Sequence, residues 1–291
     1  MNGCGVLRRR DMKTEALYDL HLHTTASDGK LAPRELVRAA KSSGLRAFAV
    51  TDHDTVAGIA EAMEEARTLQ IELVPGVEVS ANFGAASVHV LGLFVDPRDP
   101  SLLRFFTEAG ERRIERVHEM ARKLGRLGIR IDARAVFARS THGTVGRPHV
   151  AEELVAQGVV STLTEAFEKF LGQGRPAYVG YEKVTLRDAV DLIRGAGGVA
   201  SLAHPVCLDD DSLIPPMVED RLQALEVFHR DHTAEKASEY VRLAGRLGLL
   251  QTGGSDFHQS ENGEPPRLGC RELTEEAFER LRASAPSAAR G

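Results

Sequence analysis

Short apolar runs alternate with longer stretches whose apolar residues recur every three or four positions, and this rhythm covers most of the chain. The runs read as buried strands and the longer stretches as amphipathic helices. Strands are predicted at residues 18–23, 46–51, 71–77, 87–94, 199–203, 222–228 and 249–252. Helices are predicted at 33–43, with Gly44 as the stop, at 56–69 and at 234–247. Seven strands, mostly separated by helices, favour a closed parallel sheet over a sandwich.

Between residues 99 and 195 the pattern changes. Residues 102–127 are charged and helix-periodic, 145–158 and 164–171 are further helical candidates, and strand character is confined to a short piece near Tyr178. The chain therefore divides into a tail at 1–17, a first barrel part at 18–98, a helical insertion at 99–195, a second barrel part at 196–282 and a frayed tail at 283–291. The insertion is expected to cover one rim of the barrel as a substrate cap.

Composition narrows the function classes. The 291 residues are 42% hydrophobic and 27% charged, which is ordinary for a soluble protein with a large core. A net charge of −5 without a long Lys/Arg block argues against a track for long nucleic acid but leaves room for a local anion pocket. Cys4, Cys207 and Cys270 are far apart and lack CxxC spacing, so a reducing cytoplasm is expected and a thiolate zinc site is not. No apolar stretch approaches the about 20 residues of a membrane span. Arg8 to Arg10 precede no apolar segment, so a secretory signal is not expected, and Met12 is an alternative start.

The chemistry gathers at the strand ends. In DLHLH, His21 and His23 sit at i and i+2 and share a face, opposite Leu20 and Leu22, while Asp28 follows on a Ser-Asp-Gly turn. TDHD places His53 between Asp52 and Asp54 at the next strand end. Asp52 can orient the ring from behind, and Asp54 is suited to cap the following helix. Glu78 follows Pro75-Gly76, His89 lies within an apolar strand, His204 precedes Pro205, and Asp256 and His258 follow Gly253-Gly254. Taken singly, HLH could be incidental and His89 a core residue. Together, His21, His23, Asp28, His53, Glu78, His89, His204, Asp256 and His258 form one candidate multinuclear metal site. Imidazoles and carboxylates without sulfur suit Mn²⁺, Zn²⁺ or Fe²⁺. Three divalent ions against three carboxylates would leave a formal charge of about +3, a trap for a phosphate.

These motifs resemble the PHP (polymerase and histidinol phosphatase) superfamily: DLHLH, Asp28, TDHD, Gly76 with Glu78, His89, AHP at Ala203 to Pro205 and GSDFH at Gly254 to His258. The resemblance implies a distorted (β/α)7 barrel with a helical insertion over its C-terminal rim. It also implies a trinuclear centre, Mn²⁺ first, in which a metal-bridging hydroxide rather than a side chain attacks phosphorus. By the family pattern His21, His23, Glu78 and Asp256 hold one ion, Glu78, His89 and His204 a second, and Asp28, His53 and His258 a third. Asp19 and Asp52 support the ligands from behind.

The segment STHGTVGRPHVAEEL resembles the GRPH segment of stand-alone PHP enzymes acting on nucleoside phosphates or trimming short RNA from the 5′ end. Arg147 and His149 are then the substrate contacts, at a helix start suited to phosphate. His229, at the end of its strand, is a further candidate for substrate contact or proton donation. Arg112, Arg113 and Arg116 are read as a solvated helix face. The expected activity is phosphomonoester hydrolysis of a 3′,5′-bisphosphonucleotide such as pAp, with 5′–3′ trimming of short oligoribonucleotides as a second activity. AMP or histidinol-phosphate hydrolysis is the alternative, and a non-catalytic metal-binding module the rival of another class.

Overall fold

The computed structural model describes residues 18–139, 145–180, 183–208, 210–259, 267–270 and 272–286. Its strands are β1 (Tyr18–Asp19), β2 (Ala47–Val50), β3 (Glu72–Phe83), β4 (Ala86–Leu93), β5 (Val184–Thr185), β6 (Val199–Leu202), β7 (Ala224–His229) and β8 (Leu250–Gly254). The helices are α1 (Pro33–Ser42), α2 (Ile59–Leu69), α3 (Pro100–Arg126), α4 (Ala133–Arg139), α5 (Arg147–Ala156), α6 (Leu163–Ala166), α7 (Leu186–Gly195), α8 (Ile214–Met217), α9 (Ala234–Leu247) and α10 (Glu275–Ser284).

Seven strands run in the order β1-β2-β3-β4-β6-β7-β8. The ring closes where Leu20 N–H donates to the Gly253 carbonyl at 3.0 Å and His23 N–H to the Phe257 carbonyl at 3.0 Å. This is the distorted seven-stranded barrel that the resemblance implies. It departs from the expected parallel sheet at β4, which runs antiparallel to both β3 and β6. The cause is local: Gly84, at φ 58°, turns the chain so tightly that Phe83 pairs with Ala86. A hairpin this short can only join antiparallel strands.

Alternation along the strands divides the apolar residues into two layers. Phe48, Val50, Val77, Val79, Leu202 and Leu225 pack outward against Leu36 and Val37 of α1, Ile59 of α2 and Ile193 of α7. Ala47, Ala49, Leu91, Val199 and Ala224 face the other way, together with Phe278 and Leu281 of α10. Tyr18 stacks on Phe278 with ring centroids 4.6 Å apart. The expected alternation slips between Leu20 and His21. Leu20 packs with Tyr18 in the inner layer and Leu22 in the outer one. That slip leaves His21 and His23 both directed inward, at the level where the apolar filling stops.

A third, separate core holds Val117, Met120 and Leu124 of α3 together with Val136, Val150, Leu154 and Leu171. The strand expected near Tyr178 instead lies at β5, which adds to β3 in parallel. Helix α7 packs its Leu186, Ala189, Val190 and Ile193 into the main barrel core. At the other end α10 continues through Ser284 and Ala285 is buried, so the ordered chain runs beyond 283. Residues 1–17, 140–144 and 287–291 lie outside the described residues, and with them the first five positions of STHGTVGRPH.

Candidate metal centre

Glu78 sits inside β3, 1% exposed, and five imidazoles close on its carboxylate. Oε1 meets His89 Nδ1 at 2.8 Å and His204 Nε2 at 3.0 Å. Oε2 meets His21 Nε2 at 3.1 Å, His23 Nε2 at 3.2 Å and His53 Nδ1 at 3.2 Å. The five rings come from four places in the barrel. His21 and His23 follow β1, His53 follows β2 and bridges to Glu78, His89 faces Ser80 across the β3–β4 hairpin, and His204 follows β6.

Asp256 and Asp28 complete the ring of donors. Asp256 Oδ1 lies 3.3 Å from His21 Nε2, 3.2 Å from His23 Nε2 and 3.4 Å from His258 Nδ1. Its close approach depends on Gly254, where a Cβ would fall 2.3 Å from that of His21. Asp28 Oδ1 lies 3.3 Å from His258 Nε2 and 3.7 Å from His23 Nδ1, and Oδ2 is 3.8 Å from His53 Nε2. All nine candidate ligands therefore come together at one rim.

The electrostatics are those of a site arranged for cations. Burial alone would raise the Glu78 pKa, yet His53, His21 and His204 hold it well below the carboxylate range. Asp256 behaves likewise: burial opposes ionisation, and His229, His23 and His21 overcome it. Burial lowers His23, but Asp256 and Glu78 lift it to about 9. His53 is pushed down to about 4, by burial first and by the like charges of His23 and His89. Five imidazoles cannot all be protonated against one carboxylate without strong mutual repulsion. Both ring nitrogens of His23 and Nδ1 of His53 are buried without a hydrogen-bond partner. Divalent cations relieve both problems, so the donor set fits them. The donor atoms fall into groups spanning at most 4.8 Å: His21, His23, Glu78 and Asp256; His53, Glu78 and His89; His23, Asp28, His53 and His258; and His21, Glu226 and His229.

Of the acids expected behind the ligands, Asp52 acts differently. Asp52 takes Thr24 N–H at 2.7 Å, Thr24 Oγ1 at 2.7 Å and Ser27 Oγ at 2.6 Å, so it fixes the turn carrying Asp28 rather than the His53 ring. Asp19 is fully buried, and burial raises it to about 6 against hydrogen bonds from Ser255, Gly269 and His21. It ties β1 to the segment holding Asp256. Asp54 does not cap α2, which starts at Ile59 with Gly58 as its N-cap and no side-chain cap. Instead its Oδ1 accepts Ser80 N–H at 2.9 Å, and Arg113 of α3 binds its Oδ2.

That pairing corrects the reading of the arginines as a solvated face. Arg112 is half exposed beside Glu108, but Arg113 is 17% exposed on Asp54, and Arg116 donates to the Val179 carbonyl at 2.9 Å. The helix period marked these positions as one face, and the sequence carried no sign that the face meets the rim. Arg147 Cζ lies 5.7 Å from the Phe167 ring centre and 5.5 Å from that of Tyr178, so its guanidinium rests on two aromatic rings. His149 Nδ1 accepts Gly146 N–H at 3.2 Å and closes the first turn of α5. His229 Nδ1 accepts Asp231 N–H at 3.2 Å, which leaves its other nitrogen protonated and 3.5 Å from Asp256 Oδ2.

Two residues escaped sequence reasoning. Glu226 is completely buried within β7 behind the His21 ring. Its signal was an acid at an inward position of an apolar strand, between Leu225 and Val227. Lys183 precedes β5, whose pairing with Ala81 sets it level with Ser80 and His89, and it donates to Ser87 Oγ at 2.5 Å. Burial pushes its amine down, and Arg113 and Arg147 add to the shift against Asp54 and Glu78.

Comparison with known proteins agrees with this picture. The PHP domain matches residues 19–125. The chain is 36% identical to a 3′,5′-nucleoside bisphosphate phosphatase of Chromobacterium violaceum over 85% of its length and 89% of the relative's. It is 35% identical to a 5′-3′ exoribonuclease of Escherichia coli over 86% and 87% of the two chains. Among solved structures, a metal-dependent phosphoesterase from Bifidobacterium adolescentis superposes with a TM-score of 0.76 at 32% identity, covering 94% of this chain and 97% of the other.

Proposed function

This chain belongs to the PHP family, and from that premise we propose that it is a metal-dependent phosphoesterase acting on small nucleotides, 3′,5′-bisphosphonucleotides first among them. The observation that carries the reading is the closure of five imidazoles on Glu78, with Asp256 and Asp28 beside them, at the rim of a barrel. We assign His21, His23, Glu78 and Asp256 to one cation, Glu78, His89 and His204 to a second, and Asp28, His53 and His258 to a third. Mn²⁺ is our first choice, with Zn²⁺ or Fe²⁺ next. Bound there, the cations would supply Lewis acidity to a phosphate and acidify water for attack at phosphorus.

The rest of the chemistry belongs to side chains. Arg147, whose guanidinium lies against Phe167 and Tyr178, carries the planar fork suited to bidentate contact with a phosphate. His149 and Lys183 would add a second donor set, suiting a substrate with two phosphates. His229 holds its transferable proton on the nitrogen facing Asp256, where it could reach a leaving group at the centre. The segment at 99–195 would act as the substrate cap, since its Arg113 already reaches the rim. A cytoplasmic location goes with the three unpaired-looking cysteines of the sequence; among the described residues no helix is long and apolar enough to cross a membrane.

The test is a panel: Mn²⁺-loaded protein assayed for phosphate release from pAp, AMP, histidinol phosphate and a short 5′-phosphorylated RNA. The reading expects pAp to give the highest kcat/KM. Preference for histidinol phosphate would move the chain to the amino-alcohol branch, and no hydrolysis of any would favour a binding module.

A further inference from the structure

Glu226 has no role in the ligand sets above, yet it is a fully buried carboxylate in the centre of β7. Its Oε1 and Oε2 lie 3.1 and 3.3 Å from His21 Nδ1, and Oε2 accepts the backbone N–H of His204 at 2.6 Å. His21 Nε2, on the opposite edge of the same ring, faces Glu78 and Asp256. A neutral ring that donates Nδ1–H to a carboxylate presents its lone pair at Nε2. His204 is held at φ 27°, in the left-handed region that non-glycine residues rarely adopt. A short hydrogen bond from its N–H to an ionised oxygen stabilises that conformation and fixes where the ring leaves the chain.

We propose that Glu226 is the positioning residue of the centre: it sets the tautomer of His21 and the backbone of His204, and so governs how tightly cations are held. The proposal rests on the metal-centre reading but not on the choice of substrate. One carboxylate thereby couples two ligands that follow β1 and β6, strands that β7 and β8 separate in the ring. His21, Glu226 and His229 also lie close enough to share an ion of their own. Such an ion would need His21 Nδ1, the nitrogen that Glu226 binds, and would compete for the proton that orients the ring.

The experiment compares the full-length protein with Glu226→Gln and Glu226→Asp. Gln keeps the shape, but its amide offers only one acceptor oxygen to two donors. Metal affinity is read by dialysis against buffered free Mn²⁺ with elemental analysis. The His21 tautomer is read in the Zn²⁺-loaded protein by long-range proton–nitrogen spectra of the imidazoles. Folding is checked by circular dichroism. We expect Glu226→Gln to fold, to bind Mn²⁺ about 10- to 100-fold more weakly and to lose the Nδ1–H preference at His21. Glu226→Asp should fall between, and KM at saturating metal should stay unchanged. Wild-type affinity with an unchanged tautomer in Glu226→Gln would overturn the proposal. So would loss of one whole equivalent with the remaining ions held as tightly as before, because Glu226 would then be a ligand itself. Should the variants not fold, an Nε2–H tautomer of His21 in the unaltered Zn²⁺-loaded protein would suffice to reject it. Absence of hydrolysis toward every nucleotide would defeat the substrate reading and leave these readouts intact.

Discussion

Arg113, on the long helix α3, grips the carboxylate of Asp54, the residue immediately after His53. The same carboxylate accepts Ser80 N–H, and Ser80 stands opposite His89 across the hairpin. The helical segment is thus tied to the part of the rim that carries two candidate ligands. Replacing Arg113 by Ala leaves a charge on Asp54 that is shielded from water, at a cost of about 1–3 kcal/mol. Urea unfolding should show that loss, and kinetics should show KM rising more than kcat falls. Unchanged stability and KM would mean the pair is incidental.

Glu78→Gln removes the charge on which the five imidazoles converge. The variant is expected to retain little Mn²⁺ after gel filtration and to lose more than about 100-fold in kcat/KM. Elemental analysis decides this independently of activity, and a variant with full metal content would contradict the assignment.

Arg147→Lys keeps the positive charge but loses the planar fork and the fit against Phe167 and Tyr178. If that guanidinium holds a substrate phosphate, kcat/KM for pAp falls about 10- to 100-fold while metal content stays constant. A drop in thermal stability with unchanged kinetics would assign the residue to packing of the helical segment instead.

Protons and cations compete for the same nitrogens. In the metal-free protein His23 is raised to about 9, so its stabilising contribution is complete below about 6.5 and is lost as pH rises through about 9. Glu78 and Asp256 are lowered, so theirs is present above about 4.5 and is lost as pH falls. His53, lowered to about 4, works the other way and costs stability as pH falls below about 6.5, so metal-free protein should weaken as pH rises from about 7 toward 9. Mn²⁺ binding needs the neutral ring, so it should release protons at pH 7 and almost none above about pH 10. An unbuffered titration with a pH electrode measures this, and proton uptake would refute it.

The candidate ligands were legible in the sequence because their constraint is local. HLH puts two imidazoles on one side of a strand end, and GGSDFH needs glycine where Gly254 meets His21. Strand positions followed from apolar runs, but direction did not: β4 is reversed by a turn at Gly84 that the apolar pattern does not encode. Glu226 and Lys183 stayed hidden because their meaning is tertiary. A lone acid in a strand says nothing until the ring of His21, 205 positions away, is seen against it. The arginines of α3 misled for the same reason, since a helix face reads as solvated until something is found to cover it.

The most direct measurement removes the metal and returns it. Protein stripped with chelator should hydrolyse no pAp, and stepwise addition of Mn²⁺ to those samples should restore phosphate release as about three equivalents bind. Hydrolysis undiminished in protein shown by elemental analysis to contain no metal would contradict the account.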